Sequence, residues 1–189
     1  MGQMFDHLGY TILGEWYIVS EESITTKEEP YAGISLNRAQ MITVKDSAFG
    51  TEEGCHYLSR ISEAVDNIRL ISSDPEEISF TLIENSNELI GNKEKEVEEH
   101  LKEYGYSPEV SQDRVSMVSI CGDAMRDRVG TFTEIVQTIA ETNSSIIMGG
   151  QTNEQESAPS ISFCFSPKKG EKVVKALGEK FFKKYKEQS

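Results

Sequence analysis

The chain has 189 residues, which accommodates one ordinary domain or two small ones. Hydrophobic residues make up 37% of the sequence and aromatic residues 8%, enough to build a core. The formal net charge of −13 would repel phosphate backbones and anionic membrane surfaces, so we expect neither a nucleic acid nor a membrane as a partner.

The N-terminal part of the chain, residues 1–29, is predicted to be an extension that precedes the repeated region. Its apolar and aromatic segment Leu8–Val19 indicates a hairpin or an edge extension of a sheet, with Gly14 as the turn. The segment Tyr31–Leu36 follows and is short, apolar and suited to a single strand.

Two similar units follow each other with an offset of 76 residues, the distance from Met41 to Met117. Each methionine lies in a short apolar run that predicts a strand. Each run leads through a loop to a glycine, Gly54 or Gly130, and the methionine-to-glycine spacing is 13 residues in both units. Apolar residues then recur at three- and four-residue spacing, which predicts a helix after each glycine.

The rest of each unit also repeats. A short apolar strand is followed by a polar turn, a strand that begins Ile-Ser-Phe, and a closing helix. The two Ile-Ser-Phe triplets are 83 residues apart, so the second hairpin turn, around 149–160, is about seven residues longer. The predicted elements are the strands 68–71 and 146–148, the strands that start at 78 and 161, and the helices 92–104 and 170–185.

The order strand, helix, strand, strand, helix, strand is that of a ferredoxin-like sandwich, an α+β fold with two helices on one face of an antiparallel sheet. The first unit takes its last strand from 108–112, whereas the second unit ends after its helix and lacks one. We expect residues 30–38 to donate it. The two domains then interleave, the first comprising 39–112 and the second 30–38 together with 113–189.

Several short motifs resemble the regulatory region of aspartokinases. Ser119–Arg126 followed by Val129–Thr131 is similar to the start of the second ACT domain of that family, where Val-Gly-Asp-Gly-Met-Arg precedes a Pro-Gly-Val turn into a helix. Leu70–Ser73 with Glu77–Phe80 resembles the family's Leu-Ile-Ser-Thr-Ser-Glu-Val-Ser hairpin. The stretch from Ser23 to Lys45 is similar to the family's passage from its kinase domain into its first ACT domain. The resemblance covers about 23–187 and implies two tandem ACT domains of βαββαβ topology.

Departures from the family pattern are also clear. Aspartokinases open with a kinase domain that carries a Lys-x-Gly-Gly-Ser/Thr run, and the sequence has neither that run nor a Gly-x-x-x-x-Gly-Lys-Ser/Thr phosphate loop. It also has no Gly-x-Ser-x-Gly or His-Glu-x-x-His motif, so we predict no catalytic residues and no enzymatic activity. Arg69 stands where lysine-sensing members have an acidic residue, which argues against lysine at the first site.

Both strand-to-helix loops have the chemistry to bind a free amino acid. A helix N-terminus offers unpaired N–H groups and a partial positive charge to the carboxylate, and a glycine in the first turn lets a small ligand approach the backbone. An acidic side chain can hold the ammonium group, and the candidates are Asp46, Glu52, Asp74 and Asp123. Simpler interpretations stay open, because the glycines can serve turns, the aspartates can cap helices and Met125 can pack in the core.

The resemblance implies more specific sites. In aspartokinases the effector lies between the first strand–helix loop of one ACT domain and the facing strand of a partner ACT domain. Carried over to this sequence, the first site comprises Asp46, Phe49, Glu52, Gly54, Cys55, Ile68, Arg69, Ser72 and Ser73. The second site comprises Asp123, Met125, Arg126, Gly130, Thr131 and Gln151.

The three cysteines, Cys55, Cys121 and Cys164, form no Cys-x-x-Cys motif and lie among apolar or small residues. We expect free thiols, no metal site and no cofactor, which suits the reducing cytoplasm. The N-terminus does not have the pattern of a signal peptide, and no apolar run approaches the 18 residues of a membrane span.

These observations favour a non-catalytic regulatory protein that senses an aspartate-family amino acid, namely threonine, lysine or methionine. We expect it to form a homodimer through its ACT sheets, with a separate kinase chain as a further candidate partner. The alternative is a protein-interaction module or regulatory subunit that has lost ligand binding. An RNA-binding ferredoxin-like domain is disfavoured, because the strands lack the aromatic run on which bases stack and the charge is of the wrong sign.

Overall fold

A computed structural model describes residues 11–13, 16–18, 31, 33–46, 54–65, 68–74, 76–83, 93–152 and 159–182. The first half of the chain contains β1 (Thr11–Leu13), β2 (Trp16–Ile18), β3 (Gly33–Lys45), α1 (Gly54–Ala64), β4 (Ile68–Ser73), β5 (Glu77–Ile83) and α2 (Lys93–Glu103). The second half contains β6 (Glu109–Cys121), a 3-10 turn (Asp123–Met125), α3 (Thr131–Glu141), β7 (Met148–Thr152), β8 (Ser160–Phe165) and α4 (Gly170–Phe181).

The chain divides into two compact units. The central unit is Arg38–Val115, and the split unit consists of the residues up to Asn37 together with those from Ser116 onwards. The strand order is β6-β3-β5-β4 in the central unit and β1-β2-β3-β6-β8-β7 in the split unit. Both orders place β3 beside β6, as the last strand lies beside the first in a ferredoxin-like sheet. The predicted fold class, an α+β arrangement of two interleaved ferredoxin-like domains, is confirmed.

The strand pairing repeats between the units down to single side chains. β3 pairs antiparallel with β5 and sets Thr43 opposite Ser79, while β6 pairs antiparallel with β8 and sets Ser119 opposite Ser162. The hydroxyl oxygens of the two pairs are 2.9 Å and 2.7 Å apart, and all four residues are buried. Ser79 and Ser162 are each the centre of an Ile-Ser-Phe triplet. The sequence repeat therefore encodes a buried hydrogen bond between the first and third strands of each unit.

Each unit has its own core, built from alternate residues of the sheet and the apolar stripes of its two helices. The residues that flank the central serine of each Ile-Ser-Phe triplet lie in these cores. The central core comprises Ile42, Val44, Tyr57, Ile61, Val65, Ile78, Phe80, Leu82, Val97 and Leu101. The split core comprises Tyr31, Ile34, Val118, Ile120, Met125, Ile135, Ile139, Ile161, Phe163, Phe165, Val173, Leu177 and Phe182.

One predicted strand lies in a different place. The strand expected at 146–148 is β7, which runs over Met148–Thr152, so part of the predicted turn 149–160 is strand. The register explains the difference, because Gly149 lies opposite Phe163 and a Cβ at Gly149 would be 2.7 Å from the Phe163 ring. The glycine therefore leaves space for a core aromatic residue, although glycine in isolation indicates a turn.

The N-terminal segment forms the predicted hairpin. β1 pairs antiparallel with β2, and β2 pairs with the start of β3, so that Trp16 lies opposite Ser35. The proposed turn residue Gly14 lies outside the described residues. The predicted last strand of the first unit, 108–112, is the beginning of the 13-residue strand β6.

Cys121 and Cys164 are free cysteines, and the side chain of Cys55 is not among the described ones. Across the described ranges, no set of three or more His, Cys, Asp or Glu side chains is arranged to hold a metal ion. Of the described helices, none has the length and apolar character that crossing a membrane requires.

Candidate functional site

The loop that follows β6 in the split unit is held by backbone hydrogen bonds. The N–H group of Gly122 donates to the carbonyl oxygen of Pro159 at 3.1 Å, which joins the end of β6 to the segment that leads into β8. The N–H groups of Met125 and Arg126 then donate back to Gly122 and Asp123 at 3.1 Å and 3.3 Å, forming the 3-10 turn. The loop thus leads to α3 along a defined path.

The N-terminus of α3 has no side-chain cap. Its N-cap residue is Gly130, which adopts the left-handed conformation (φ 89°, ψ −4°). Residues with a Cβ atom adopt this conformation only at a higher conformational energy. The first helical hydrogen bond runs from the N–H group of Glu134 to the carbonyl oxygen of Gly130 at 3.0 Å. The N–H groups of residues 131–133 precede that bond and have no carbonyl within the helix. Such N–H groups and the helix dipole suit a carboxylate.

Four residues predicted for the second site lie exposed at this end of the split unit: Asp123, Arg126, Gly130 and Gln151. Gln151 on β7 lies opposite Ile161 of β8, which in turn lies opposite Ile120 of β6. The strand pairing therefore places Gln151 level with the last residues before the loop. The structure brings these four predicted residues to one end of one sheet.

Two other predicted residues are engaged inside the protein. Met125 is 4% exposed and belongs to the core of the split unit. Thr131 is buried, and its Oγ1 donates to the carbonyl oxygen of Arg128 at 2.9 Å. Their side chains are thus occupied with packing and with fixing the turn before α3.

The first predicted site is described in part. Asp46 directly follows β3, its N–H group donates to the carbonyl oxygen of Glu76 at 3.1 Å, and its Oδ2 accepts a 2.5 Å hydrogen bond from the hydroxyl of Tyr57. Gly54 and Cys55 are the first residues of α1, and nothing of the Cys55 side chain is described. Phe49 and Glu52 lie outside the described residues.

The remaining first-site residues lie on β4, which pairs with β5. Ile68 packs against the central core, whereas Arg69, Ser72 and Ser73 are exposed. The register shifts between Ile68 and Leu70, which puts Arg69 at an irregularity of the strand.

Two other acidic residues near this strand have partners of their own. The carboxylate oxygen Oε2 of Glu77 lies 3.8 Å from Nζ of Lys45. The carboxylate of Asp74, a candidate for holding an ammonium group, accepts a hydrogen bond from the N–H group of Glu76 at 2.9 Å.

Among the strands that the structure describes, β4 lies at one edge of the central unit and β7 at one edge of the split unit. Each carries or adjoins an exposed large apolar side chain, Ile71 at 54% and Ile147 at 48%. Sheet edges with exposed apolar residues are surfaces on which another chain can pair. Predicted site residues from both units, Arg69 and Gln151 among them, thus lie on outer strands.

Sequence reasoning missed the side-chain contacts at the loop before α3. Arg128 Nη2 donates to Glu134 Oε1 at 2.9 Å, and the hydroxyl of Tyr31 lies 3.5 Å from Glu134 Oε2. Burial, followed by the nearby Glu134 carboxylate, raises the pKa of Tyr31 to about 12. The sequence offers one repeated feature here, a tyrosine just before each long strand: Tyr31 before β3 and Tyr106 before β6.

Comparison with known proteins agrees with this architecture. Residues 118–181 match the model of the ACT domain, which covers about a third of the chain. No curated protein has a matching sequence. Among solved structures, the aspartate kinase of Clostridium acetobutylicum superposes with a TM-score of 0.65 at 21% identity, over 86% of this chain and 37% of that one.

Two further structures are similar. Aspartokinase III of E. coli, in complex with aspartate and ADP, has a TM-score of 0.62 at 16% identity over 84% of this chain and 35% of that one. The regulatory subunit of aspartate kinase from Thermus thermophilus has a TM-score of 0.61 at 17% identity, over 81% of this chain and 99% of that one.

This chain therefore spans about a third of the two kinases and nearly the whole of that subunit. The resemblance read from the sequence is confirmed: residues 118–181 match the ACT domain model, and the fold is similar to that of the regulatory regions in these aspartate kinase structures.

Proposed function

We propose that this protein is a non-catalytic regulatory protein that binds a free amino acid of the aspartate family, threonine, lysine or methionine. The central unit would be the first ACT domain (39–112) and the split unit the second (30–38 with 113–189). The observation that carries the proposal is the N-terminus of α3, which has no side-chain cap and stands at the end of a fixed loop with the exposed Asp123 and Gln151.

The chemistry of an amino acid suits this arrangement. Its carboxylate can accept hydrogen bonds from the N–H groups of residues 131–133, and Asp123 can pair with its ammonium group. Gln151 supplies both a donor and an acceptor from the outer strand. Because Met125 and Thr131 are turned inward, we assign ligand contact at this site to Asp123, Arg126, Gly130 and Gln151. For the first site we retain the residues predicted from the sequence.

A second copy of the chain is the proposed partner at the outer strands. Pairing of two sheets edge to edge would cover the unpaired backbone of β4 or β7 and bury Ile71 or Ile147. It would also bring the facing strand of another ACT domain against each loop. By analogy with the regulatory subunit from Thermus thermophilus, a separate kinase chain in the cytoplasm is the further partner that we propose.

A thermal-shift panel tests ligand binding. Threonine, lysine, methionine and the other common amino acids are added at 10 mM, and the melting temperature Tm is measured. A ligand present at 100 times its Kd adds about 2.7 kcal/mol of stability, and each kcal/mol raises Tm by about 2–4 °C in a protein of this size. We expect one aspartate-family amino acid to raise Tm by about 5–10 °C.

Matched variants locate the binding site. Asp123→Asn removes the charge that pairs with the ammonium group and is expected to cut the shift by more than half. Asp113→Asn, an exposed carboxylate on β6 outside the proposed site, is the control that keeps the full shift. The proposal fails if no amino acid changes Tm, or if Asp123→Asn responds like the wild type.

The alternative function is a protein-interaction module that has lost ligand binding. The exposed Arg69 on β4 favours it, because it replaces the acidic residue by which lysine-sensing relatives hold their effector. A pull-down that recovers one dominant partner, with a yield unaffected by any amino acid in the panel, would select this alternative.

A further inference from the structure

Three sulfur-containing residues lie in one row across the sheet of the split unit. Cys164 of β8 lies opposite Met117 of β6 on one side and opposite Met148 of β7 on the other. Residues directly opposite each other in antiparallel strands project from the same face of the sheet, with Cβ atoms about 4.5–5.5 Å apart. One thiol is thus flanked by two thioether side chains, and we call these three residues the sulfur row.

The sulfur row lies on the face of the sheet that does not carry the split core. Val118 and Phe163, the neighbours of Met117 and Cys164 along their strands, belong to that core together with residues of α3 and α4. Successive residues of a strand point to opposite faces, so Met117 and Cys164 point away from these helices. All three residues of the row are nevertheless buried. Packing in the split core therefore does not explain why they are buried.

Small uncharged residues border the sulfur row on the same face. Two residues further along the three strands, Ser162 lies between Ser119 and Gly150. The hydroxyl oxygens of the two serines are 2.7 Å apart and share a hydrogen bond. Neither of these two rows contains a carboxylate or an imidazole, so sulfur is the strongest type of metal donor that they offer.

Such a donor set is selective among metal ions. Thiolate and thioether sulfur are soft ligands that suit Cu(I), whereas protein zinc sites use thiolate, imidazole and carboxylate, and iron–sulfur clusters use several cysteines. One thiolate also neutralises the single charge of Cu(I), while a divalent ion would leave a positive charge in a buried place. Metal–sulfur bonds of about 2.3 Å put the sulfur ligands of one ion about 4 Å apart. Methionine can reach that spacing because it is unbranched and has three rotatable bonds.

We propose that Met117, Cys164 and Met148 form a binding site for one Cu(I) ion in the split unit. The ion bonds to Sγ of Cys164, whose thiol proton passes to solvent, and accepts a lone pair from Sδ of each methionine. Copper stays Cu(I), so nothing is oxidised or reduced. β7 lies at a sheet edge, and its local opening gives the ion access. Spacing along the chain does not reveal this site, because only the strand register aligns residues 117, 148 and 164.

Competition for Cu(I) tests the site on the full chain. The protein is titrated without oxygen against the coloured complex of Cu(I) with bathocuproine disulfonate, and the loss of colour reports transfer of the ion. We expect one Cu(I) per chain, and X-ray absorption of the loaded protein should show sulfur ligands alone. Cys164→Ala should abolish the transfer. Met117→Leu and Met148→Leu nearly conserve volume and cost less than about 1.5 kcal/mol of stability. Each should weaken binding by at least about tenfold, the lower end of the effect of losing a ligand's supporting partner.

Cys121→Ser is the matched control. Cys121 lies on the same face of β6, and its row continues through Ser160 to Thr152, without a methionine. This variant should take up Cu(I) like the wild type. The site is refuted if the wild type takes no Cu(I) from the chelator, if Cys164→Ala still takes it, or if Cys121→Ser loses it. It is also refuted if either methionine variant, shown to be folded by circular dichroism, binds as tightly as the wild type. None of these outcomes depends on amino-acid binding, which the thermal-shift panel tests separately.

Discussion

Replacing Gly170 with alanine is expected to destabilise the split unit. Gly170 is the first residue of α4 and is buried against β3 and β6. A Cβ at this position would lie 2.6 Å from Ser116 Cβ on β6 and 2.7 Å from Leu36 Cδ1 on β3. Carbon atoms in contact prefer about 3.5–4.0 Å, so the added methyl group overlaps both neighbours by about 1 Å.

The two neighbours differ in their ability to move. Leu36 can change rotamer, but Ser116 Cβ is bonded directly to the backbone of β6, and its hydroxyl donates to the carbonyl oxygen of Pro167 at 2.9 Å. The start of α4 must therefore shift away from the sheet. Overpacking of this kind costs about 1–3 kcal/mol, while alanine in place of glycine returns at most about 1 kcal/mol of helix propensity. The net loss is about 1–2 kcal/mol.

Thermal unfolding followed by circular dichroism measures this effect. At about 2–4 °C per kcal/mol, Gly170→Ala should lower Tm by about 2–8 °C. Lys175→Ala on the exposed face of the same helix should leave Tm within about 1 °C of the wild type. Adding Ser116→Gly to Gly170→Ala removes the clashing atom, so the double variant should lose less than the sum of the two single losses. A Gly170→Ala protein with a Tm at or above that of the wild type would show that the added methyl group does not overlap β3 and β6.

Three further predictions concern buried side chains. Ser119→Ala should lower the free energy of unfolding in urea by about 1–2 kcal/mol, because it removes the partner of the buried Ser162 hydroxyl. Adding Ser162→Ala should lower it little further, and additive losses would contradict this. Burial raises the pKa of the Cys164 thiol to about 12, so labelling by a maleimide at pH 8 should follow global unfolding, and fast labelling of the native state would contradict the packing. The pKa of Tyr31 is raised from 10.0 to about 12, so its contribution to stability is full below pH 10 and disappears as pH rises through 12. Wild-type Tm should therefore fall more steeply than that of Tyr31→Phe over this range, and parallel curves would contradict it.

Local patterns in the sequence predict much of this fold because the repeat samples the same physical constraints twice. The Ile-Ser-Phe triplets at 78 and 161 report alternate burial on a strand, and the structure shows both flanking apolar residues in the cores. Gly149 taken by itself predicts a turn, whereas in the structure it leaves room for the ring of Phe163 across the sheet.

The sequence predicts less of the candidate site than of the fold. The sequence identifies the two loops and the residue types that suit an amino acid, and it leaves open whether Met125 packs or binds. Met125 lies in the core, a fact that depends on how the 3-10 turn rests on the sheet. The sequence also does not pair Tyr57 with Asp46 or Arg128 with Glu134, because spacing along the chain does not specify which side chains meet in a loop.

The two-unit repeat, the order of its elements and the resemblance to aspartokinase regulatory regions are visible in the sequence, because periodicity and turn chemistry are local properties of the chain. The side chains that turn inward, the strands that lie at sheet edges and the contacts of Tyr31 and Tyr57 are visible only in the folded protein. Those features arise from contacts between residues about 11 to 103 positions apart, such as Tyr57 with Asp46 and Tyr31 with Glu134. The packing of each unit's helices on its sheet brings such residues together.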